Sequence, residues 1–172
     1  MSDTGWVAAG TGTNDAAEGD QAWSTPENIT ADDGSNATSN PDFAKTTQTL
    51  VGTNFGFSIP TGSTIDGIEV LVQATGDTAT HTTEINVRKD GSTVGTEKSQ
   101  GVAYTTTMTD FTFGSVSDLW DLSVTAAEVN SSNFGARFRI LDDASFAVDV
   151  MKIKVTYTEA PAEGKHRMFM VF

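Results

Sequence analysis

The stretch STIDGIEVLVQATG, residues 63–76, alternates between apolar and polar side chains. Its apolar positions fall on Ile68 and on every second residue as far as Ala74, with Glu69 and Gln73 between them. Because successive side chains of a strand point to opposite faces, this period of two predicts a strand with one buried and one solvated face. Such strands are typical of antiparallel sheets.

The same period recurs in the segments 53–60, 83–98, 109–115, 133–140 and 145–158. The last of these changes phase, since the apolar residues up to Val150 share one parity and those from Met151 onward share the other. A β-bulge near these two residues would keep both sets on one face of the sheet.

Two local signals predict how the strands are connected. The pair Asp90-Gly91 predicts a tight hairpin, because this pair is favoured where both central residues need a positive φ. Thr125 and Glu128 have the spacing of a capping box, which predicts a single helical turn that ends at Asn130.

Together these signals predict an all-β protein, an antiparallel jelly-roll β-sandwich of about eight strands with one short crossover helical turn. We expect this domain to span residues 23–158. Residues 1–22 are rich in Gly, Ala, Thr and Asp, with Trp6 as the only large anchor, and predict an extended N-terminal arm. Residues 159–172 are expected to form a tether and an apolar C-terminal hook.

The composition argues against several classes of partner. The chain has 172 residues and a net charge of −13, which would repel nucleic acid. It has no cysteine, so neither a disulfide nor a thiolate metal site is expected. No apolar run approaches the ~20 residues of a membrane span, and the first residues lack the pattern of a secretory signal. We therefore expect no membrane partner, and a protein made in a cytoplasm that does not leave by a standard amino-terminal signal.

Catalytic signals are weak. His81 lies in TATHTTE (residues 78–84) and is predicted to be an exposed polar side chain, and the second histidine is His166. No nucleophile elbow accompanies them. The acidic pairs 32–33 and 142–143 are adjacent residues, whose side chains point apart in an extended segment. We expect no catalytic residues, no cofactor and no enzymatic activity.

The segment ADDGSN, residues 31–36, is the best candidate for a metal site. Asp32, Asp33 and Asn36 carry the oxygen ligands that calcium prefers, although their spacing is not that of an EF-hand loop. The alternative, which we favour, is an Asx-type turn in which these side chains bind local backbone amides.

Aromatic side chains could instead stack on a sugar, and the candidates are Trp6, Trp23, Tyr104, Trp120 and Tyr157. A sugar-binding face needs exposed rings on one surface. We favour the alternative that Trp23, Trp120 and Tyr157 are buried at the ends of the sandwich, because large amphipathic rings usually are.

The chain ends in GKHRMFMVF, residues 164–172, an apolar end that follows a short polar stretch. An apolar terminus on an acidic protein predicts contact with protein. We favour contact with a neighbouring subunit, and the alternative is an edge strand of its own sheet. The predicted partner-binding residues are Trp6, Arg167, Met168, Phe169, Met170, Val171 and Phe172.

Four stretches resemble a family of structural proteins from tailed phages. They are AWSTPENITADDGSNAT (22–38), TNFGFSIPTGSTIDGIEVLVQA (53–74), SDLWDLSVTAAEVNSSNFGARFRI (117–140) and VDVMKIKVTYT (148–158). The combination of IPTGSTIDGIEV with EVNSSNFG is the most specific part. The chain departs from the family pattern at Thr25, where Asn is usual, at Asp121, where Gly is usual, and at Glu128, where Asp is common.

The resemblance implies a jelly-roll virion protein without catalytic residues, of the capsid decoration (cement) or head-fibre type. Its expected location is the capsid surface of a virion. Its expected partners are the major capsid protein and neighbouring copies of itself, as a trimer or a dimer. The alternative is a carbohydrate-binding module of a tail fibre or adsorption apparatus, for which the partner would be a glycan. A polysaccharide hydrolase is a third and weaker alternative.

Overall fold

The computed structural model describes residues 1–40, 45–77, 80–98, 100–142 and 144–161. In these ranges, eleven strands form two antiparallel sheets that pack as a sandwich. The strands are β1 (Ser2–Asp3), β2 (Val7–Ala8), β3 (Thr11–Asp15), β4 (Ala37–Ser39), β5 (Thr49–Thr53), β6 (Thr64–Thr75), β7 (Thr80–Arg88), β8 (Gln100–Ala103), β9 (Thr109–Ser115), β10 (Gly135–Ile140) and β11 (Phe146–Thr158). A 3₁₀ turn (Pro26–Ile29) and the helical turn α1 (Ala126–Val129) complete these elements.

The strands from β4 to β11 follow a jelly-roll order. One sheet has the order β4-β11-β6-β9 and the other has the order β5-β10-β7-β8. Each sheet therefore takes four of the eight strands, and apart from the consecutive pair β7 and β8, adjacent strands within a sheet are not consecutive in the chain, as expected for a jelly roll. The predicted all-β sandwich is confirmed.

The core lies between the two sheets. β6 and β11 form the longest pairing, from Thr64 opposite Thr158 to Thr75 opposite Ala147. The apolar set of β6 that begins at Ile68 is buried in the same hydrophobic cluster as Ala136, Phe138 and Ile140 of β10. The alternation seen in residues 63–76 therefore corresponds to one face in the core and one face toward solvent.

The predicted bulge in β11 is confirmed. Val148 pairs with Ala74 and Val150 pairs with Gln73, so that Asp149 is the extra residue. The bulge keeps the apolar residues on both sides of the phase change buried. The side chain of Asp149 is only 4% exposed.

The segment 53–60 is not a strand, and that prediction was wrong. β5 ends at Thr53, and Asn54 and Gly56 then adopt positive φ angles of 57° and 70°. These angles interrupt the ladder of hydrogen bonds, although the apolar side chains within 55–59 remain buried. The predicted alternation of buried and exposed side chains is therefore confirmed here, but the predicted pairing of this segment in a sheet is not.

The chain turns back at Asp90-Gly91, with an antiparallel bridge between Arg88 and Val94, but neither Asp90 nor Gly91 has the positive φ that the predicted primed turn needs. The backbone closes instead through the amide of Lys89, which donates to the carbonyl of Thr93 at 2.9 Å. The side chain of Asp90 accepts hydrogen bonds from the amides of Thr93 and Ser92, and these lower the pKa of Asp90 to about 2. An Asx-type turn has replaced the primed hairpin turn.

The capping box is confirmed. The Thr125 hydroxyl accepts from the Glu128 amide, and the Glu128 carboxylate accepts from the Thr125 amide at 2.8 Å. Asn130 caps the other end of the single turn.

The first 22 residues are extended and docked on the sandwich. β1 and β2 pair with β11, and β3 pairs with β5. The side chain of Asn14 in β3 binds both the amide and the carbonyl of Trp23, at 3.0 and 2.9 Å. The N-terminal segment therefore adds edge strands to both sheets.

Candidate interaction surface

Trp6 is the one residue of the predicted partner-binding set that lies within the described chain, and it is at the surface. It connects β1 to β2 beside β11, and its ring is 39% exposed. The ammonium of Lys154 lies 4.8 Å from the ring centroid and also forms a 2.8 Å ion pair with Glu69. The indole therefore offers one partly covered apolar face. The other members, Arg167, Met168, Phe169, Met170, Val171 and Phe172, lie outside the described residues.

An apolar groove opens where β11 ends. We call it the end groove, and it lies between the segment 61–65, which includes the first residues of β6, and the crossover segment 119–127. Its volume is about 620 Å³, and its apolar lining consists of Ile65, Leu119, Val124, Ala126 and Ala127. The capping box fixes one wall, because Thr125 also bridges to Thr64 on the other wall.

A second groove, which we call the polar groove, lies at the opposite end of β11. Its volume is about 600 Å³, and its lining is mostly small and polar, with Ser39, Asn40, Asp77 and Ser145 among its members. Phe146 also lines this groove, but it is buried. Among the described residues, the lining therefore has no exposed ring on which a sugar could stack.

His81 is buried beside the polar groove, and its prediction as an exposed side chain was wrong. It is 7% exposed and packs against the rings of Tyr104 and Phe146, at centroid distances of 6.3 and 5.1 Å. Its Nε2 lies 2.5 Å from Asp77, and its Nδ1 lies 2.9 Å from Asp142. No local pattern indicates this burial, because one of the two carboxylates belongs to Asp142, which is 61 residues away in the sequence.

The two carboxylates favour the charged form of the ring. Burial lowers the pKa of His81, but hydrogen bonds and charge interactions with Asp77 and Asp142 outweigh it, so the pKa is raised. Both ring nitrogens face carboxylates, so neither is directed at a hydroxyl nucleophile. Burial also raises the pKa of Tyr104 to about 12. This arrangement is suited to holding the segment at Asp77 and the segment at Asp142 together through His81.

Among the described residues of the acidic loop, Asp33 forms the Asx-type turn that we favoured, whereas the side-chain oxygen of Asn36 is buried there without a hydrogen-bond partner. The Asp33 carboxylate accepts from the Ser35 amide at 2.9 Å, and Asp32 forms a 2.9 Å ion pair with Lys152. The buried Asp149 carboxylate accepts from the Gly34 amide at 3.1 and 3.2 Å. In the part of the chain that the structure describes, no group of three His, Asp or Glu side chains could hold a metal ion.

Most of the aromatic candidates are buried. Trp23 donates from Nε1 to the carbonyl of Gln48 at 2.8 Å, and Trp120 donates to the carbonyl of Ile68 at 2.9 Å. Tyr104 is buried as well, and Tyr157 is partly buried against the core. The expected burial of Trp23 and Trp120 is therefore confirmed.

The stretches that carry the phage-protein resemblance bind one another in the fold. The side chain of Asn130, in EVNSSNFG, binds both backbone groups of Ile59, in IPTGSTIDGIEV, at 2.9 Å each. The indole of Trp120, in SDLW, binds Ile68, and the amide of Ile68 donates to Asp118 at 2.9 Å. The motif residues therefore build one connected part of the sandwich, beside the end groove.

No protein-family profile matches this chain, and no curated protein shows significant similarity to it in sequence. Among the described residues, no helix is both long enough and apolar enough to cross a membrane.

Proposed function

We propose that this chain is a non-enzymatic structural protein of a phage virion, and that it is a decoration (cement) protein on the outer surface of the capsid. In this role the sandwich binds the major capsid protein, and the terminal segments contact the capsid and neighbouring copies in a trimer or dimer. The observation that carries the proposal is the mutual bonding of the motif residues, Asn130 with Ile59 and Trp120 with Ile68. The family-like sequence stretches therefore bind one another within the sandwich.

The surface chemistry supports a protein partner. Six of the basic side chains in the described ranges form ion pairs with carboxylates: Lys89, Lys98, Arg137, Arg139, Lys152 and Lys154. The net charge of −13 therefore leaves an excess of acidic groups at the surface. Such a surface repels phosphate backbones and favours a partner that presents basic or apolar side chains.

The carbohydrate-binding alternative is less well supported. Sugar stacking needs exposed rings, and Trp23, Tyr104 and Trp120 are buried. Trp6 is exposed, but the ammonium of Lys154 lies over its ring. Glycan binding that is lost in Trp6→Ala would favour this alternative over the capsid role.

The proposal is tested on virions of the phage that encodes the chain. We expect mass spectrometry to find the protein in purified particles, and a reconstruction to place it on the outer capsid surface. Particles from a deletion mutant should lose DNA at a lower temperature than wild-type particles, and added purified protein should restore their stability. Absence from the particles, or a position in the tail, would overturn the capsid role.

A further inference from the structure

The end groove has no occupant among the described residues, although its lining is suited to one. Its apolar lining side chains come from two segments that are far apart in the sequence, and none of the lining residues that the structure describes is basic. Ser63 also lines the groove, and its hydroxyl is buried with no hydrogen-bond partner in the described part of the chain. A buried hydroxyl without a partner is costly, so an inserted segment that supplies a backbone partner would be stabilised there.

The described chain ends at the rim of this groove. Thr158 pairs with Thr64, and its hydroxyl donates to Asp66 at 2.7 Å. Ala160 lies directly over Gly62, so that a side-chain carbon built on Gly62 would be 3.4 Å from the Ala160 Cβ. Thr64 and Gly62 both line the end groove. The residues that follow Pro161 therefore start beside it.

We propose that the C-terminal residues 168–172 of the same molecule occupy the end groove in the free protein. This segment is MFMVF, whose side chains are apolar like the groove, and no described lining residue is basic and would repel the preceding Lys165 and Arg167. Six residues lie between Pro161 and Met168, and the seven steps of backbone that join the two can span up to ~25 Å, so the segment can enter the groove from its rim.

Tethering favours this occupant over a segment of a second molecule. A short flexible linker gives a tethered segment an effective concentration in the millimolar range, well above that of free protein in dilute solution. Gly164 also allows the tether to turn back toward the groove. This inference concerns the isolated protein and does not rest on the proposed virion role.

Disulfide trapping in the full-length protein tests the proposal, because the chain has no native cysteine. The test pairs are Ala127→Cys with Val171→Cys and Ser123→Cys with Val171→Cys, since Ala127 and Ser123 line the groove and are exposed. The control pair is Ser145→Cys with Val171→Cys, because Ser145 lies at the other end of β11, about 40 Å away at ~3.3 Å per residue.

At low protein concentration, we expect mild oxidation to form a disulfide within one molecule in at least one test pair, at several times the yield of the control pair. A monomeric band on a non-reducing gel and the loss of two hydrogens by mass spectrometry identify this product. Yields in both test pairs no higher than in the control, or disulfides formed only between molecules, would overturn the proposal. Folding of each variant is checked by its circular dichroism spectrum.

Discussion

The side-chain amide of Asn130 forms two hydrogen bonds with the backbone of Ile59, 71 residues earlier in the chain. Its oxygen accepts from the Ile59 amide and its nitrogen donates to the Ile59 carbonyl, both at 2.9 Å. The contact fixes the loop before β6 against the residue that ends α1. Ile59 lies outside the sheets, and the Asn130 side chain binds the two backbone groups that a neighbouring strand would otherwise bind.

Asn130→Ala should therefore destabilise the protein by about 1–3 kcal/mol, because it leaves two backbone groups of Ile59 without partners. The matched control is Asn133→Ala, three residues later and exposed, for which we expect a change within about 0.5 kcal/mol. Urea unfolding followed by tryptophan fluorescence measures both. Equal stabilities for the two variants would contradict the role given to Asn130.

Much of the fold could be predicted from the period of the sequence. In β6, β10 and β11, each strand buries one face, so the alternation of apolar residues and its phase change near Val150 report directly on the sheets and the bulge. The capping box could be predicted for a similar reason, since Thr125 and Glu128 satisfy each other within one turn.

Other features depend on contacts that leave no local pattern. β1, β2 and β3 are held by backbone hydrogen bonds, so their side chains carry little apolar periodicity. The end groove forms only when the segments 61–65 and 119–127 come together, and His81 is paired with a carboxylate that is 61 residues away. Of the predicted partner-binding residues, Trp6 is at the surface, and 167–172 lie outside the described chain.

The stability of the protein should depend on pH through His81. Burial lowers the pKa of His81, yet Asp77 and Asp142 outweigh it and raise it in the folded state. A raised pKa means that the folded state binds this proton more tightly than the unfolded state. The contribution is complete below about pH 6.5, the usual histidine value, and is lost as the pH rises through the folded-state pKa.

We therefore expect the free energy of unfolding to fall as the pH is raised from about 6 to about 8.5, a range that brackets the usual histidine pKa. His81→Gln cannot carry the charge and should lose most of this dependence. His166→Gln, which changes the other histidine of the chain, should retain it. Urea unfolding at a series of pH values measures the effect, and the same slope in both variants would rule out His81 as its source.

Gly114 should tolerate no side chain. Its φ is +80°, and a Cβ there would lie 2.3 Å from the carbonyl oxygen of Ile68 and 2.9 Å from the indole nitrogen of Trp120. Gly114→Ala would therefore combine backbone strain with loss of the hydrogen bond between Trp120 and Ile68. We expect a loss of about 2–4 kcal/mol in unfolding free energy.

The control for Gly114 is Gly91→Ala. Gly91 has no positive φ, and the nearest atom to an added Cβ is an Arg88 nitrogen at 3.7 Å, an ordinary contact. Its effect should stay within about 0.5 kcal/mol. Thermal unfolding compares the stabilities of the two variants. If Gly114→Ala is as stable as Gly91→Ala, the added Cβ fits beside Ile68 and Trp120 without cost, and the prediction is wrong.

Calcium should have no effect on the stability of the acidic loop, because its carboxylates already have partners in the protein. Asp32 is paired with Lys152, Asp33 accepts from Ser35, and the buried Asp149 accepts from Gly34. A bound ion would stabilise the folded state by mass action, so the melting temperature would rise with its concentration.

We expect the same melting temperature in excess calcium and in excess chelator. Asp149→Ala should instead lower the free energy of unfolding by about 1–3 kcal/mol with or without calcium, because the Gly34 amide loses its acceptor. Asp33→Ala removes only an exposed local bond and should cost less than about 1 kcal/mol. A melting temperature that rises with calcium in the wild type but not in Asp149→Ala would contradict this prediction. It would show that the loop binds calcium in preference to forming its own hydrogen bonds.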